Sequence, residues 1–140
     1  MLYKISRYDI KGKKYLKTGD KYYVCDLGLR NYLLGGVKDY GSILENIIFL
    51  ELKRRGYEIY IGKYDEEEVD FVIKNNDGIK YIQVALSVRD EDTLKRELTS
   101  LKNIKDNYPK YLITLDCDTN DFDGIKQIST IDFLTGRTNL

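Results

Sequence analysis

The sequence holds 140 residues with 23 Lys and Arg against 23 Asp and Glu, so its formal net charge at neutral pH is zero. With 42% hydrophobic and 33% charged residues it can fill one core and solvate one surface, which excludes a disordered chain. The complete lack of histidine excludes Ser-His-Asp and Cys-His nucleophiles and imidazole-held metals, leaving carboxylates, lysine and tyrosine for any chemistry.

No run of 18 apolar residues is present, and the opening MLYKISRYDI lacks the apolar stretch of a secretion signal, so a cytoplasmic protein without membrane contact is expected. Cys25 and Cys117 stand far apart without a CxxC partner, so neither a disulfide framework nor a cysteine metal site is expected. Both read as small buried side chains.

In chain order, Tyr3 to Ile10 and Lys13 to Leu16 flank Gly12 and predict an N-terminal β-hairpin within residues 1–20, carrying Lys11, Lys13, Lys14 and Lys17 outward. Residues 1–21 hold seven basic and two acidic side chains, a local excess of five positive charges. That makes Lys11, Lys13 and Lys14 candidate nucleic-acid contacts, although a solvated hairpin is the simpler reading. Tyr22 to Asp26 is a short apolar run, and Leu27 to Leu34 a short helix ended by Gly35-Gly36.

Ser42 to Arg55 is the clearest helix, with Leu44, Ile47, Ile48 and Leu52 on one stripe and Gly56 as its stop. Tyr57 to Ile61, Glu68 to Ile73 and Ile79 to Leu86 read as strands. Asp90 caps a second helix striped by Leu94, Leu98 and Leu101, which Asn107-Tyr108-Pro109 breaks. Lys110 to Leu115 then reads as a buried strand, followed by a polar loop with Asp116, Asp118, Asp121 and Asp123. Ile125 to Ile128 is a last short strand, and Ile131 to Leu134 closes the domain. This order predicts an α/β fold, a mixed central sheet flanked by helices and reached partly through a crossover.

Asp70 and Gln83 break the apolar alternation of their strands and point away from Val69/Phe71/Ile73 and Ile82/Val84/Leu86. If Asn75 to Gly78 is a four-residue loop, Lys74 lies opposite Ile79 and Asp70 opposite Gln83, with Ala85 on the same face. A two-residue Asp77-Gly78 turn would shift this by a diagonal step and keep the parity. Glu45, at the edge of its helix stripe, could join them, and two carboxylates with an amide oxygen are hard ligands of the kind Mg2+ accepts. Each residue also has a plainer reading. Ser42-Ile43-Leu44-Glu45 is a capping box, and Asp70 could end the solvated run Asp65-Glu66-Glu67-Glu68.

Glu45, Glu68-Val69-Asp70-Phe71-Val72 and Tyr81-Ile82-Gln83-Val84 resemble the signature of the PD-(D/E)XK nuclease superfamily. Lys21-Tyr22-Tyr23 with Asp26-Leu27-Gly28-Leu29, Leu44-Glu45-Asn46, Glu51-Leu52 with Arg54-Arg55-Gly56-Tyr57, Arg96-Glu97 and Asp106-Asn107-Tyr108-Pro109-Lys110 look like the C-terminal domain, of unassigned function, of prokaryotic AAA-type ATPases. The resemblance implies a restriction-endonuclease-like fold over residues 21–140, with residues 1–20 the tail of an upstream winged-helix segment. It places the ATPase module upstream as the natural partner and the only binder of ATP, since no GxxxxGK[ST] occurs here.

The departure from the pattern is chemical. Gln83-Val84-Ala85 stands where the superfamily has Glu-x-Lys, so one metal-binding charge and the lysine that stabilises developing charge are missing. The expectation is a degenerate site of Glu45, Asp70 and Gln83 in which Asp70 and Glu45 bind Mg2+ weakly or not at all. The domain would then have no cofactor of its own and would bind DNA or a partner. The alternatives are an active Mg2+-dependent DNase with a lysine supplied by Lys53, Lys80 or Lys95, and an oligomerisation or docking module suggested by 13 tyrosines.

Overall fold

Most of the β-rich runs of the chain pair into one mixed sheet in the computed structural model, which describes residues 1–36 and 39–140. The elements are β1 (Leu2–Ile5), β2 (Arg7–Asp9), β3 (Lys14–Tyr15), β4 (Lys21–Val24), α1 (Leu27–Leu33), α2 (Tyr40–Arg54), β5 (Glu58–Tyr64), β6 (Glu67–Asn75), β7 (Gly78–Ala85), α3 (Glu91–Lys102), β8 (Lys110–Thr114), β9 (Asp121–Phe122), β10 (Ile125–Ser129) and α4 (Thr130–Leu134). Eight strands form the sheet in the order β3-β2-β5-β6-β7-β8-β10-β9. β5, β6 and β7 are an antiparallel meander, whereas β2 joins β5, and β8 joins β7 and β10, in parallel. The sheet contains the crossover that the element order predicts, and it runs from β7 through α3 to β8.

Helices cover both faces, which is why the central strands read as nearly unbroken apolar runs. On one face Leu44, Ile48, Phe49 and Leu52 of α2 and Phe133 of α4 pack with Phe71, Ile73, Ile82 and Ile113. On the other, Leu98 and Leu101 of α3 pack with Val72, Tyr81 and Leu112. No helix among the described residues is long and apolar enough to cross a membrane.

The first strand differs from the expected hairpin arm. Tyr3 to Ile10 changes partner at Ser6: β1 pairs with β4 in a separate two-stranded sheet, while β2 turns to β3 and β5. Tyr23 of β4 stacks on Phe49 of α2, centroids 4.3 Å apart and 12° between planes, and this draws β1 toward α2. The Ser6 carbonyl already accepts from Ile61 N–H at 3.0 Å.

Asp39, not Ser42, caps α2, accepting from Ser42 N–H at 3.1 Å, so the capping box does not form and Glu45 is free for tertiary contacts. Lys74 lies opposite Ile79 as expected, but the ladder continues to Asn75 and Gly78 and leaves Asn76-Asp77 as the turn. Cys25 and Cys117 are exposed rather than buried, because each lies in irregular chain just past a strand end.

Gly62 sits where the β5–β6 register slips, and a Cβ there would come within 2.9 Å of Val69 and Val72 side-chain carbons and 3.0 Å of Ile10. Gly62→Ala should therefore cost about 1–3 kcal/mol by overpacking. Gly56→Ala meets open space and pays only for its left-handed φ of 84°, about 1 kcal/mol. Urea midpoints rank the two, and an unshifted midpoint for Gly62→Ala would mean the strands there have room to part.

Candidate functional site

The meander opens at one point. The β6–β7 ladder ends at Phe71 and Ile82, although β6 continues back to Glu67 along β5 and β7 continues to Ala85 along β8. A forked sheet leaves backbone groups without partners, and buried backbone groups are almost always paired. Two side chains supply the missing bonds. Gln83 Oε1 accepts from Asp70 N–H at 3.1 Å, and Asp70 Oδ2 accepts from Val84 N–H at 2.8 Å. Asp70 and Gln83 thus face each other as their register predicts.

Charged groups from four other elements close around this pair. Gln83 Nε2 donates to Glu97 Oε2 of α3 at 3.0 Å. Glu45 Oε1 of α2 accepts from Lys21 Nζ of β4 at 3.0 Å and from the Tyr23 hydroxyl at 2.5 Å. Lys21 also donates to Glu68 Oε1 at 2.9 Å, and Arg7 of β2 donates to Glu68 Oε2 at 2.7 Å.

Burial and then the neighbouring Glu45 charge push the Asp70 carboxyl up to about 8, with Glu97 adding to the effect and the Val84 bond and Lys21 opposing it. Burial and Glu45 likewise hold the Tyr23 phenol well above its ordinary value. Burial acts to lower Lys21, but Glu45 and Glu68 outweigh it and raise the ammonium. In Glu68 burial is outweighed by Lys21 and Arg7, which hold it below the usual carboxylate range.

Glu45, Asp70 and Gln83 are thus brought to one place. Lys21 and Glu97 were visible in the sequence only as parts of family-like motifs, because no local spacing relates β4 or α3 to Asp70. The three lysines considered for the missing role lie elsewhere. Lys53 stands 5.7 Å over the Tyr3 ring, Lys80 donates to the Leu140 carbonyl at 3.0 Å, and Lys95 is exposed on α3.

Among the described residues no group of three or more Cys, Asp or Glu side chains is placed to hold a metal ion. The donor set fits Mg2+ poorly. A dication would have to displace the Asp70 proton and the Lys21 ammonium from Glu45, and Gln83 would add no charge.

The basic N-terminal segment is largely compensated. Lys4 pairs with Asp20 and Lys11 with Asp65, each at 3.0 Å, while Arg7 and Lys21 turn to the acidic cluster. Lys13, Lys14 and Lys17 are exposed with no carboxylate partner among the described residues.

No family model matches the chain. It is 45% identical over 136 residues to an uncharacterized protein of Haemophilus influenzae, a match covering 96% of this chain and 33% of that protein. It is 36% identical over 101 residues to an uncharacterized protein of Methanocaldococcus jannaschii, covering 67% of this chain and 23% of the other. The chain therefore spans a third or less of these curated relatives. No solved structure matches it.

Asp70 keeps its proton to about pH 8 when folded, against an ordinary value of 3.8. The folded chain then binds more protons than the unfolded one between those limits, so this contribution to stability is fully present below the ordinary value and is lost as pH rises toward 8. Asp70→Asn, which keeps an oxygen for Val84 N–H but cannot ionise, should be nearly neutral in acid and raise the melting temperature by a few degrees in mild alkali. Parallel melting curves across that range would show that Asp70 ionises freely in the fold.

Gln83→Glu should cost about 1–3 kcal/mol, because it sets a carboxylate against Glu97 in place of the 3.0 Å amide bond. Adding Glu97→Gln restores the bond with its direction reversed and should recover most of that loss in a double-mutant cycle. Strict additivity of the two changes would show that the residues do not interact.

Proposed function

We propose that this chain is a degenerate PD-(D/E)XK nuclease-like domain, the C-terminal part of a longer AAA-type ATPase, that binds DNA or a partner without hydrolysing a phosphodiester. The observation that carries this reading is the fork between β6 and β7. Its Asp and the residue in the Glu position meet across two strands, as the superfamily arranges them, but they are spent on the opposing backbone, Gln83 on Asp70 N–H and Asp70 on Val84 N–H. Glu45 is neutralised by Lys21, and Ala85 presents a methyl where an ammonium is needed. Loss of one well-placed charge stabiliser typically costs ~10²–10³ in rate, and two positions are altered here.

Lys21 and Glu97 favour a second reading, an active Mg2+-dependent DNase. They bring an ammonium and a carboxylate to the fork from β4 and α3 and could replace what Gln83 and Ala85 lack. Incubation with supercoiled plasmid and Mg2+ or Mn2+ separates the two readings. The degenerate site leaves the plasmid intact. Nicking that disappears with both Asp70→Ala and Lys21→Met establishes the nuclease.

DNA binding by the degenerate domain would run through the hairpin of β2 and β3. Exposed ion pairs such as Lys11–Asp65 hold little energy, so Lys11, Lys13 and Lys14 can all turn to phosphates. Affinity should fall with salt at a log–log slope near −0.9 per phosphate contact, and changing Lys11, Lys13 and Lys14 to Glu should abolish it. Retention on DNA that survives both treatments would place the binding surface elsewhere.

A further inference from the structure

α1 buries none of its residues. Leu29, Tyr32, Leu33 and Leu34 are 48%, 84%, 70% and 67% exposed, and Tyr22 and Tyr40 on either side of the helix are 59% and 65% exposed. A seven-residue helix is well below the ~12–15 residues at which an isolated helix becomes even marginal in water, so it needs apolar cover, which the described residues give only in part by half-burying Leu27, Arg30 and Asn31. The three tyrosines alone expose roughly 300–500 Å², which is as large as the largest apolar patch of an ordinary monomer. With the leucines the face approaches the ~800 Å² that one side of a stable interface contributes.

A second feature lies beside it. β1 and β4 form a ribbon of only two strands; at the β4 edge Val24 bonds both ways with the Asn46 side chain of α2, and the β1 edge has no strand partner among the described residues. Two-stranded ribbons are marginal alone, and open edges are usually paired or covered.

We infer that α1 and the β1–β4 ribbon are the docking face for the further polypeptide that the longer relatives carry outside the matched segment. The Haemophilus influenzae protein matches 96% of this chain with only 33% of its own length, so most of that protein is available to cover the face. The occupant is an apolar surface bearing a carboxylate. Arg30 is the only charged residue of α1, is half-buried, and has no ion-pair partner among the described residues. This inference does not depend on how the carboxylate site is read, and plasmid nicking bears on neither its success nor its failure.

Hydrogen exchange tests it in two proteins, the 140-residue chain and the complete Haemophilus influenzae relative. The α1 amides should exchange almost unprotected in the former. In the latter the corresponding helix should be slowed by about 100-fold, as for a site held at 100 times its dissociation constant. Equal exchange in both proteins overturns the inference. Protection in the 140-residue chain that grows with its own concentration also overturns it, by showing that a second copy covers the face. The pair Tyr32→Glu and Leu33→Glu should leave the unfolding midpoint of the 140-residue chain unchanged, while the matching changes in the relative abolish protection of that helix alone. If the pair unfolds the short chain, α1 serves its own domain and the inference fails.

Discussion

Beyond Phe71 and Ile82 two neighbouring strands stop pairing inside the sheet, and their backbone groups must still be satisfied away from water. Asp70 and Gln83 meet that demand by bonding across the gap to the opposing backbone. The rest of the site follows from this constraint. Gln83 has its oxygen engaged and its amide nitrogen free, which fixes the position of Glu97. Asp70 cannot leave the gap, so burial first, and then the charges of Glu45 and Glu97, make it hold its proton far above the ordinary range.

The acidic surroundings also explain where the early basic residues go. Arg7 and Lys21 cross to Glu68 and Glu45, tying β2, β4, β6 and α2 together beside the fork. These partly buried pairs fix geometry more than they add stability, since desolvation offsets much of their attraction. Lys11–Asp65 lies in solvent and contributes little, and in Lys4–Asp20 the lysine is exposed while the carboxylate is largely covered. A segment that carries five excess positive charges along the sequence therefore retains three uncompensated lysines, Lys13, Lys14 and Lys17, on the β2–β3 hairpin and just past it.

The tyrosines divide in the same way. Tyr23 and Tyr81 are buried with their hydroxyls bonded to Glu45 and Asp106, and Tyr8, Tyr15 and Tyr60 surround Lys74, whose ammonium lies 4.2, 5.1 and 5.4 Å from their ring centres. These rings serve the fold. Tyr22, Tyr32 and Tyr40 are exposed instead, in α1 or in the elements that flank it in the chain. Tyrosine content alone could not tell a rich core from an interface, because the same side chain suits both.

The sequence by itself determined the α/β class, the central meander with Lys74 opposite Ile79, the two long helices, and the meeting of Asp70 with Gln83. All of these follow from short-range periodicity, caps and strand parity. Only the tertiary structure decided that Ser6 splits the first strand between two sheets, that Asp39 caps α2, and that Lys21 and Glu97 stand at the fork. Those outcomes depend on which distant element arrives beside a residue. Lys21 and Glu97 lie 49 and 27 positions from Asp70 in the sequence, and no periodic signal reaches that far.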